Sequence, residues 1–391
     1  MKVFMICNCP LDGKNAQTTH VSELFKNLSR LSEVILFAPK PKNNINIRNE
    51  KNIVFIPTVS INKFNYLVYE IFLFLFLMYY CLKQKSDVIY VRYSSVLYSY
   101  MIISKIFRIP FIIEINGIPS EEFKITRHYK GIFTKVASTV FTALSEKLNY
   151  KYAKKIVAVS SGIKKYIVKN YNINPFNVSV IQNGANIDLF KPLNQNKIKK
   201  EMGFDLNCNY IGFCGSFNSW HGLKQLVKSA PLILEKSKNV KFQLIGNGII
   251  KEEICQMVND FHLSDSFIFI NAVPYEEIPK YVNAFDIGVI LKEKNISGSP
   301  LKLWEYMACG VPVVATNSDD FYLLKKYNGG LIVDSEKPDE IAEAILSLLK
   351  NKKLREEMGK NARKYVIKNN SWETVANRVK KVCEDAIKKD G

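Results

Sequence analysis

The chain has 391 residues, more than one ordinary hydrophobic core organises, so its length predicts two domains of roughly 150–200 residues each. Its composition, with 47% hydrophobic and 23% charged residues, excludes extensive disorder, and its eight scattered cysteines, without a C-x-x-C pair, argue against a disulfide framework or a metal site. The net charge of +19 lies mostly in the first half, where residues 1–190 carry 25 Lys and Arg against 11 Asp and Glu.

The first half predicts a parallel sheet. Apolar runs of strand length alternate with helix-length segments, which is typical of stacked βα units. The strands are predicted at 2–7, 34–37, 53–56, 88–91, 111–115, 156–159 and 178–181. Because the first strand is not preceded by the basic and hydrophobic regions of a signal peptide, we expect a cytoplasmic protein.

The most hydrophobic window, residues 64–82, is interrupted by Glu70. The uncharged remainder has 12 residues, whereas a helix that spans a membrane needs about 20. The window therefore predicts a buried or interfacial helix.

A strongly basic stretch lies between residues 124 and 169, with eleven basic side chains and a single acid, Glu146. Within it, residues 131–155 have apolar residues at helical spacing and lysines on the other face, as helices at a membrane surface do. Three interpretations remain open: a solvated helix face, attraction to an anionic membrane surface, or attraction to nucleic acid.

A second series of strands follows a polar linker that begins after Phe190. These strands are predicted at 210–214, 240–245, 267–270, 287–291, 311–315 and 331–333, and helices at 352–368 and 372–388 end the chain. We therefore expect an α/β protein with two doubly wound Rossmann-like domains facing across a cleft. The domains are residues 1–190 and 191–370, and residues 371–391 form a helix that packs back on the first domain. Ligands of such sheets bind at the carboxyl ends of the strands.

Residues 299–315, SPLKLWEYMACGVPVVA, predict a helix that binds an anion. Ser299 suits the N-cap and Pro300 the first helical position, and the free amides and dipole of a helix start suit a diphosphate. Lys302 is unfavourable in a first turn unless an anion lies beside it. Glu305 could accept hydrogen bonds from ribose hydroxyls. An ordinary surface helix with an incidental lysine is the alternative.

This segment resembles the signature helix of the family 4 retaining glycosyltransferases, E-x7-E followed by a Gly and PVVA. Other segments are similar to family segments in the same order, and they cover nearly the whole chain: AVSSGIKKY (158–166), VIQNGANIDLF (180–190), SFNSWHG after Gly215, LIGNG (244–248) and VPYEEIPKYVNAFDIGVI (273–290). The resemblance implies a metal-independent enzyme of the GT-B type without a cofactor, which uses a nucleotide sugar, a UDP-sugar first and a GDP-sugar second, as its donor.

The resemblance also implies roles for individual residues. Glu305 would hold the donor ribose, and Ser299, Pro300 and Leu301 would offer backbone groups to the diphosphate and the sugar. Val273 lies in the region that contacts the base. From the first domain, Gly13 would approach the diphosphate, and Glu114 would point toward the cleft from a strand end; Gly215 opens the glycine loop of the second domain.

Three departures from the family pattern affect these roles. Ser297 stands where the first Glu of the pair reads the donor sugar. Ser216 and His221 replace the basic residues of the glycine loop, so Lys302 is expected to supply the charge, with His221 protonated by the diphosphate. Asn116 replaces a family His that contacts the donor sugar, and Asn cannot act as a general base. The predicted catalytic residues are Asn116, Glu114 and Lys302.

We expect transfer of a hexosyl or N-acetylhexosaminyl group by front-face attack, because no carboxylate in the sequence is convincingly placed as a nucleophile. The basic first domain suggests a lipid-linked glycan acceptor, at the inner face of the cytoplasmic membrane, in synthesis of capsule, O-antigen or lipopolysaccharide. A nucleotide-sugar epimerase or a binding-only relative would share the architecture. A nucleic-acid-binding protein would explain the charge but not the ordered motifs, so no nucleic acid partner is expected.

Overall fold

The chain is described by a computed structural model that covers residues 1–13, 15–41, 51–58, 65–93, 98–121, 132–292 and 298–388. It divides into two compact units. Unit 1 comprises Met1–Asn183, Ser297–Ser299 and Trp372–Gly391, and unit 2 comprises Gly184–Ile296 and Pro300–Ser371.

The border between the units lies before the predicted border at residues 190 and 191. Ala185 forms a β-bridge with Ser371, and Phe190 is buried in the apolar cluster of unit 2. Through these contacts, residues 184–190, which precede the polar linker, belong to unit 2. The last helix is part of unit 1, where it contacts the first helix of the chain.

Unit 1 contains a parallel sheet of seven strands in the order β3-β2-β1-β4-β5-β6-β7. The strands are β1 (Lys2–Ile6), β2 (Glu33–Pro39), β3 (Ile53–Ile56), β4 (Val88–Arg92), β5 (Phe111–Ile115), β6 (Lys155–Ala158) and β7 (Val178–Val180). The helices are α1 (Ala16–Leu28), α2 (Asn65–Lys83), α3 (Ser99–Phe107), α4 (Ile132–Tyr152), α5 (Ser161–Tyr171) and the last helix, α14 (Trp372–Ile387).

The two faces of this sheet have different neighbours. Phe4, Ile6 and Ile113 belong to the apolar cluster that also contains buried residues of α2, α3 and α5. Side chains alternate along a strand, so Tyr90 and Glu114 lie on the opposite face, where α1 and α14 pack. The helices α2 and α3 therefore share one face of the sheet.

Unit 2 contains a parallel sheet of six strands in the order β10-β9-β8-β11-β12-β13. The strands are β8 (Asn209–Cys214), β9 (Val240–Ile245), β10 (Phe267–Ile270), β11 (Ile287–Ile290), β12 (Val313–Thr316) and β13 (Gly330–Val333). The helices are α6 (Gln195–Glu201), α7 (Leu223–Lys236), α8 (Lys251–Asp260), α9 (Ile278–Ala284), α10 (Leu301–Ala308), α11 (Tyr322–Lys326), α12 (Pro338–Lys350) and α13 (Lys352–Asn369).

The predicted fold class, two Rossmann-like α/β domains of the GT-B type, is confirmed. Every strand predicted from the sequence is present, with ends that differ by at most two residues. Both sheets reverse their strand order between the first strand of the unit and the fourth, which is where doubly wound sheets bind ligands at the carboxyl ends. Among the described helices, none is long and apolar enough to cross a membrane.

Candidate functional site

The helix α10 is anchored at the carboxyl end of β8, at the centre of the sheet of unit 2. The hydroxyl of Tyr306 accepts a hydrogen bond of 2.6 Å from the backbone N–H of Cys214, the last residue of β8. A Cβ atom at Gly288 would lie 2.5 Å from the ring of Tyr306, so the glycine in β11 makes room for this anchor. At the other end, the Arg363 guanidinium donates to the carbonyl of Ala308. These contacts fix where the first turn of α10 lies.

The start of α10 differs from the prediction by one residue. The helix begins at Leu301, and Pro300, which was predicted at the first helical position, is the N-cap. Ser299 does not cap the helix, because its hydroxyl accepts from the N–H of Asn183 at 3.0 Å and its carbonyl accepts from the Asn183 side chain at 2.5 Å. The N–H of Leu303 donates to the carbonyl of Pro300, and in the described chain no side chain caps the helix start, so the amides of Leu301 and Lys302 remain available to an anion.

Lys302 is a buried cation in the first turn of α10. Its Nζ lies 3.9 Å from the centroid of the Phe213 ring and has no hydrogen-bond partner within the part of the chain that the structure describes. Burial, together with the charge of Lys292, lowers the pKa of Lys302 to about 7. A buried ammonium group without a partner is unfavourable, so the site gains free energy when an anion binds beside Nζ.

Glycines hold the loop beside Lys302 open. Gly215 follows β8 with φ of +152°, which disfavours other residues, and a Cβ atom there would lie 2.7 Å from Nζ of Lys302. A Cβ atom at Gly246, after β9, would lie 1.9 Å from the carbonyl oxygen of Gly215. A side chain at Gly246 would therefore collide with backbone, and one at Gly215 would meet the Lys302 ammonium group.

The predicted phosphate contacts Ser216 and His221 lie in this same loop. The Ser216 hydroxyl lies 3.3 Å from Nε2 of His221 and accepts from the Asn218 side chain at 3.0 Å. Burial first, and then the charges of Lys302 and Lys292, lower the pKa of His221 to about 2. His221 is therefore neutral at pH 7 in the chain without a bound diphosphate. That a bound diphosphate protonates His221 stays a prediction.

Glu305 lies one turn after Lys302 and is buried. Its charge contributes to the raised pKa values of the Cys214 and Cys309 thiols, mainly raised by burial. The predicted ribose carboxylate and the predicted phosphate cation thus belong to one helix. Val273 is half-buried in the segment after β10, also at the carboxyl edge of the sheet. Ser297 lies outside the described residues.

In unit 1, Gly13 lies in the loop between β1 and α1. A Cβ atom at Gly13 would lie 2.6 Å from the hydroxyl oxygen of Thr18 and 2.7 Å from Nδ2 of Asn15. Asn15 is the N-cap of α1 and accepts from the amides of Gln17 and Thr18. The loop packs tightly on the helix start at the carboxyl end of β1.

Glu114, at the carboxyl end of β5, is buried on the sheet face that α1 and α14 cover. Its Oε1 lies 2.6 Å from Nε2 of His20 and accepts from Nδ2 of Asn116 at 2.5 Å, and Tyr90 donates to Oε2. Burial would raise the pKa of Glu114, but the charge of His20 and these three hydrogen bonds lower it to about 2. Glu114 therefore positions Asn116, which is half-buried after β5 and follows it by two residues.

Three residues of these clusters were missed or left undecided by the sequence. From the sequence, His20 lies near a helix start and faces either the cleft or solvent; in the structure it is buried against Glu114 and the edge of the Trp372 ring. In the sequence, Tyr306 is one more hydrophobic residue of α10, and no sequence pattern predicts that its hydroxyl anchors the helix. Lys292, at the end of β11, is buried and affects the pKa of Lys302. The position of Lys292 after a buried strand was the available signal.

The chain matches two family models that together extend over both units. The model described as glycosyltransferase family 4 matches residues 17–189, and the model described as glycosyl transferases group 1 matches residues 194–365. An uncharacterized glycosyltransferase from Methanocaldococcus jannaschii is 25% identical over 387 residues, which cover 94% of each chain.

Two solved structures are similar to the whole chain. Sucrose-phosphate synthase from Thermosynechococcus elongatus has a TM-score of 0.80 and 16% identity, and the match covers 98% of both chains. HepE from Anabaena, solved in complex with UDP, has a TM-score of 0.77 and 16% identity over 98% of this chain and 100% of the other. At this identity both similarities concern the fold.

Proposed function

Because the chain belongs to glycosyltransferase family 4, we propose that it transfers a sugar, with retention of configuration, from a UDP-sugar to a glycan acceptor. The observation that carries the donor proposal is Lys302, a buried cation without a partner in the described chain at an uncapped helix start. A GDP-sugar is the second candidate, and HepE, which was solved with UDP, supports the uracil nucleotide.

The diphosphate of the donor would bind beside Nζ of Lys302 and the first amides of α10. A preorganised cation in a dry site stabilises a departing diphosphate more strongly than the same cation in water. The bound anion would raise the pKa of Lys302 from about 7, so the lysine would be fully charged when the bond to the sugar breaks. Gly13, Gly215, Ser216 and His221 are the further candidates for contacts with the diphosphate.

Glu305 would accept hydrogen bonds from the ribose hydroxyls, and Val273 would contact the base. Ser297, Ser299, Pro300 and Leu301 are the candidates for contacts with the sugar and the diphosphate.

For the chemical step we propose front-face attack, in which the departing phosphate takes the proton of the acceptor hydroxyl. Glu114 is an unsuitable nucleophile because its carboxylate is buried and already bound by His20, Tyr90 and Asn116. We propose instead that Glu114 is a positioning residue, which holds the Asn116 side chain for contact with the donor sugar. A covalent glycosyl-enzyme trapped on any carboxylate would contradict this mechanism.

For the acceptor we propose a lipid-linked glycan, extended by a hexosyl or N-acetylhexosaminyl group in cell-surface polysaccharide synthesis. The excess of 25 basic over 11 acidic residues in residues 1–190 supports an anionic, membrane-bound acceptor. A peripheral position on the inner face of the cytoplasmic membrane follows from that choice.

A thermal-shift panel of UDP-, GDP- and ADP-sugars tests the donor proposal. A donor present at 100 times its Kd should stabilise the folded chain by about 2.7 kcal/mol. If no nucleotide sugar stabilises the protein, the proposal fails. In the same reactions, release of free 2-epimerised sugar without acceptor would identify an epimerase, and the anomeric configuration of a product, read by NMR, tests retention.

A further inference from the structure

The helices α2, α3 and α4 carry exposed apolar side chains that are not covered by the described chain. On α2, every residue of one stripe is apolar and between 52% and 74% exposed: Leu67, Ile71, Leu75, Tyr79 and Leu82. The residues Leu73 and Leu77, on the opposite side, are fully buried against the sheet. A helix that is apolar on its solvent side as well as its core side indicates a second apolar environment.

The neighbouring helices extend this surface. On α3, Ile102 and Ile106 are half exposed at helical spacing. On α4, Val140, Phe141 and Leu144 are exposed. The helices are adjacent because Glu70 of α2 accepts from Ser99 of α3, and because Lys105 of α3 lies 4.6 Å over the ring of Tyr152 of α4. Since α2 adjoins α3 and α3 adjoins α4, we treat the exposed apolar residues of the three helices together and call them the α2–α4 surface.

The charge around the α2–α4 surface has one sign. Lys83, Lys105, Lys147 and Lys151 are exposed on these helices. Lys83 lies 5.8 Å from the Tyr79 ring and Lys105 over Tyr152, so the ammonium groups border the apolar stripe. Such lysines can reach headgroups while their stems lie along the apolar surface.

Both acids of the three helices are directed away from this surface. Glu70 accepts from the amides of Tyr98 and Ser99. Glu146 is completely buried and accepts from the amide and hydroxyl of Ser120. The exposed side chains that the structure describes on α2, α3 and α4 thus combine apolar groups and cations without a carboxylate.

We propose that the α2–α4 surface inserts into the interface of an anionic lipid bilayer, with the stripe of α2 among the acyl chains and the lysines at the phosphates. The inference deepens the proposed function, on which its purpose rests, because it names the face that meets a lipid-linked acceptor. A second copy of the chain fits less well. An isologous dimer would bring the same lysines of both copies together without an acid between them.

Sedimentation with vesicles tests this surface. The wild-type protein should bind vesicles of phosphatidylcholine with 30% phosphatidylglycerol at 50 mM salt, bind pure phosphatidylcholine more weakly, and lose most of the difference at 500 mM salt. The double variant Ile71→Ser/Leu75→Ser should bind the anionic vesicles at least about tenfold more weakly. The matched control is Phe176→Ser, which removes an apolar side chain of unit 1 that is 86% exposed outside the surface, and should bind like wild type.

A second pair of variants tests the charges. Lys83→Gln/Lys105→Gln should weaken binding at 50 mM salt by about five-fold for each lysine, whereas Lys169→Gln, on the exposed side of α5, should change it less. Wild type that binds neither vesicle, or an Ile71→Ser/Leu75→Ser variant that binds like wild type, overturns the proposal. The proposal is also overturned if wild type is a dimer in sedimentation velocity and the Ile71→Ser/Leu75→Ser variant is a monomer whose vesicle binding is unchanged.

The readouts separate this inference from the donor proposal. Vesicle binding is measured without nucleotide, and the nucleotide-induced thermal shift is measured without vesicles. The surface variants should keep the wild-type nucleotide shift and the wild-type circular dichroism spectrum, which shows that they fold. A variant that loses vesicle binding but keeps the nucleotide-induced thermal shift is altered in its membrane surface. A variant that loses the nucleotide-induced shift but keeps vesicle binding is altered in its donor site.

Discussion

The substitution Lys302→Met removes a buried ammonium group and leaves an apolar side chain of similar length over the Phe213 ring. The lowering of the pKa of Lys302 from 10.5 to about 7 corresponds to an unfavourable free energy of about 5 kcal/mol for the charged form in the folded chain. Structural relaxation reduces this free-energy cost of the charged form. Replacing buried ions by apolar groups commonly stabilises proteins by about 1–4 kcal/mol. We expect Lys302→Met to raise the free energy of unfolding by about 1–4 kcal/mol at pH 7.

The sign of the pH dependence follows from the two pKa values. The unfolded chain keeps the lysine proton up to about pH 10.5, whereas the folded chain releases it near pH 7. The unfolded state therefore binds more protons between these values, and this group makes wild type more stable as the pH rises through that window. The advantage of the methionine should shrink from pH 7 to pH 9, as measured by urea unfolding at both pH values.

The same substitution should weaken donor binding. A hydrogen bond to a charged group contributes about 1.5–3 kcal/mol, so UDP should bind about 10- to 100-fold more weakly in calorimetric titration. The control is Lys228→Met, which replaces an exposed lysine of α7 and should change neither the free energy of unfolding nor the affinity for UDP by much. A Lys302→Met protein that is less stable than wild type at pH 7, or that binds UDP equally well, would refute the reasoning.

Three further substitutions test the remaining assignments. Glu305→Gln should weaken UDP binding by about 10- to 100-fold in calorimetry, whereas Glu252→Gln, exposed on α8, should leave it unchanged; equal affinities would remove the ribose assignment. Glu114→Gln should reduce the free energy of unfolding by about 3 kcal/mol at pH 7, because the pKa of Glu114 is lowered from 4.5 to about 2. In wild type this stabilisation is present above pH 4.5 and is lost as the pH falls toward 2. Urea unfolding of the variant should therefore lack that acid dependence. Gly215→Ala should reduce stability by about 1–3 kcal/mol and abolish UDP binding, whereas Gly203→Ala, also at positive φ but with no atom near its Cβ, should show the backbone strain alone; equal binding losses in both would contradict the collision with Lys302.

The sequence determined the elements and their order. A strand buried on both faces is a short, continuous apolar run, so Phe111–Ile115 and Val240–Ile245 could be recognised from their residues alone. The repeated alternation of such runs with helices left a doubly wound architecture as the economical choice. The position of Lys302 in the first turn of a helix also followed from local sequence, because turn residues and helix starts depend on near neighbours.

Which side of an element is buried was decided by the tertiary structure. The helix α2 is apolar around its circumference, so its periodicity does not distinguish Leu73, which packs on the sheet, from Leu75, which is exposed. Ser299 was predicted as a helix cap from its neighbours in sequence, but its hydroxyl accepts a hydrogen bond from the N–H of Asn183, which is distant in sequence. Glu114 is buried because His20, Tyr90 and Asn116 converge on it. Such choices depend on contacts between residues far apart in the chain, and local patterns do not record them.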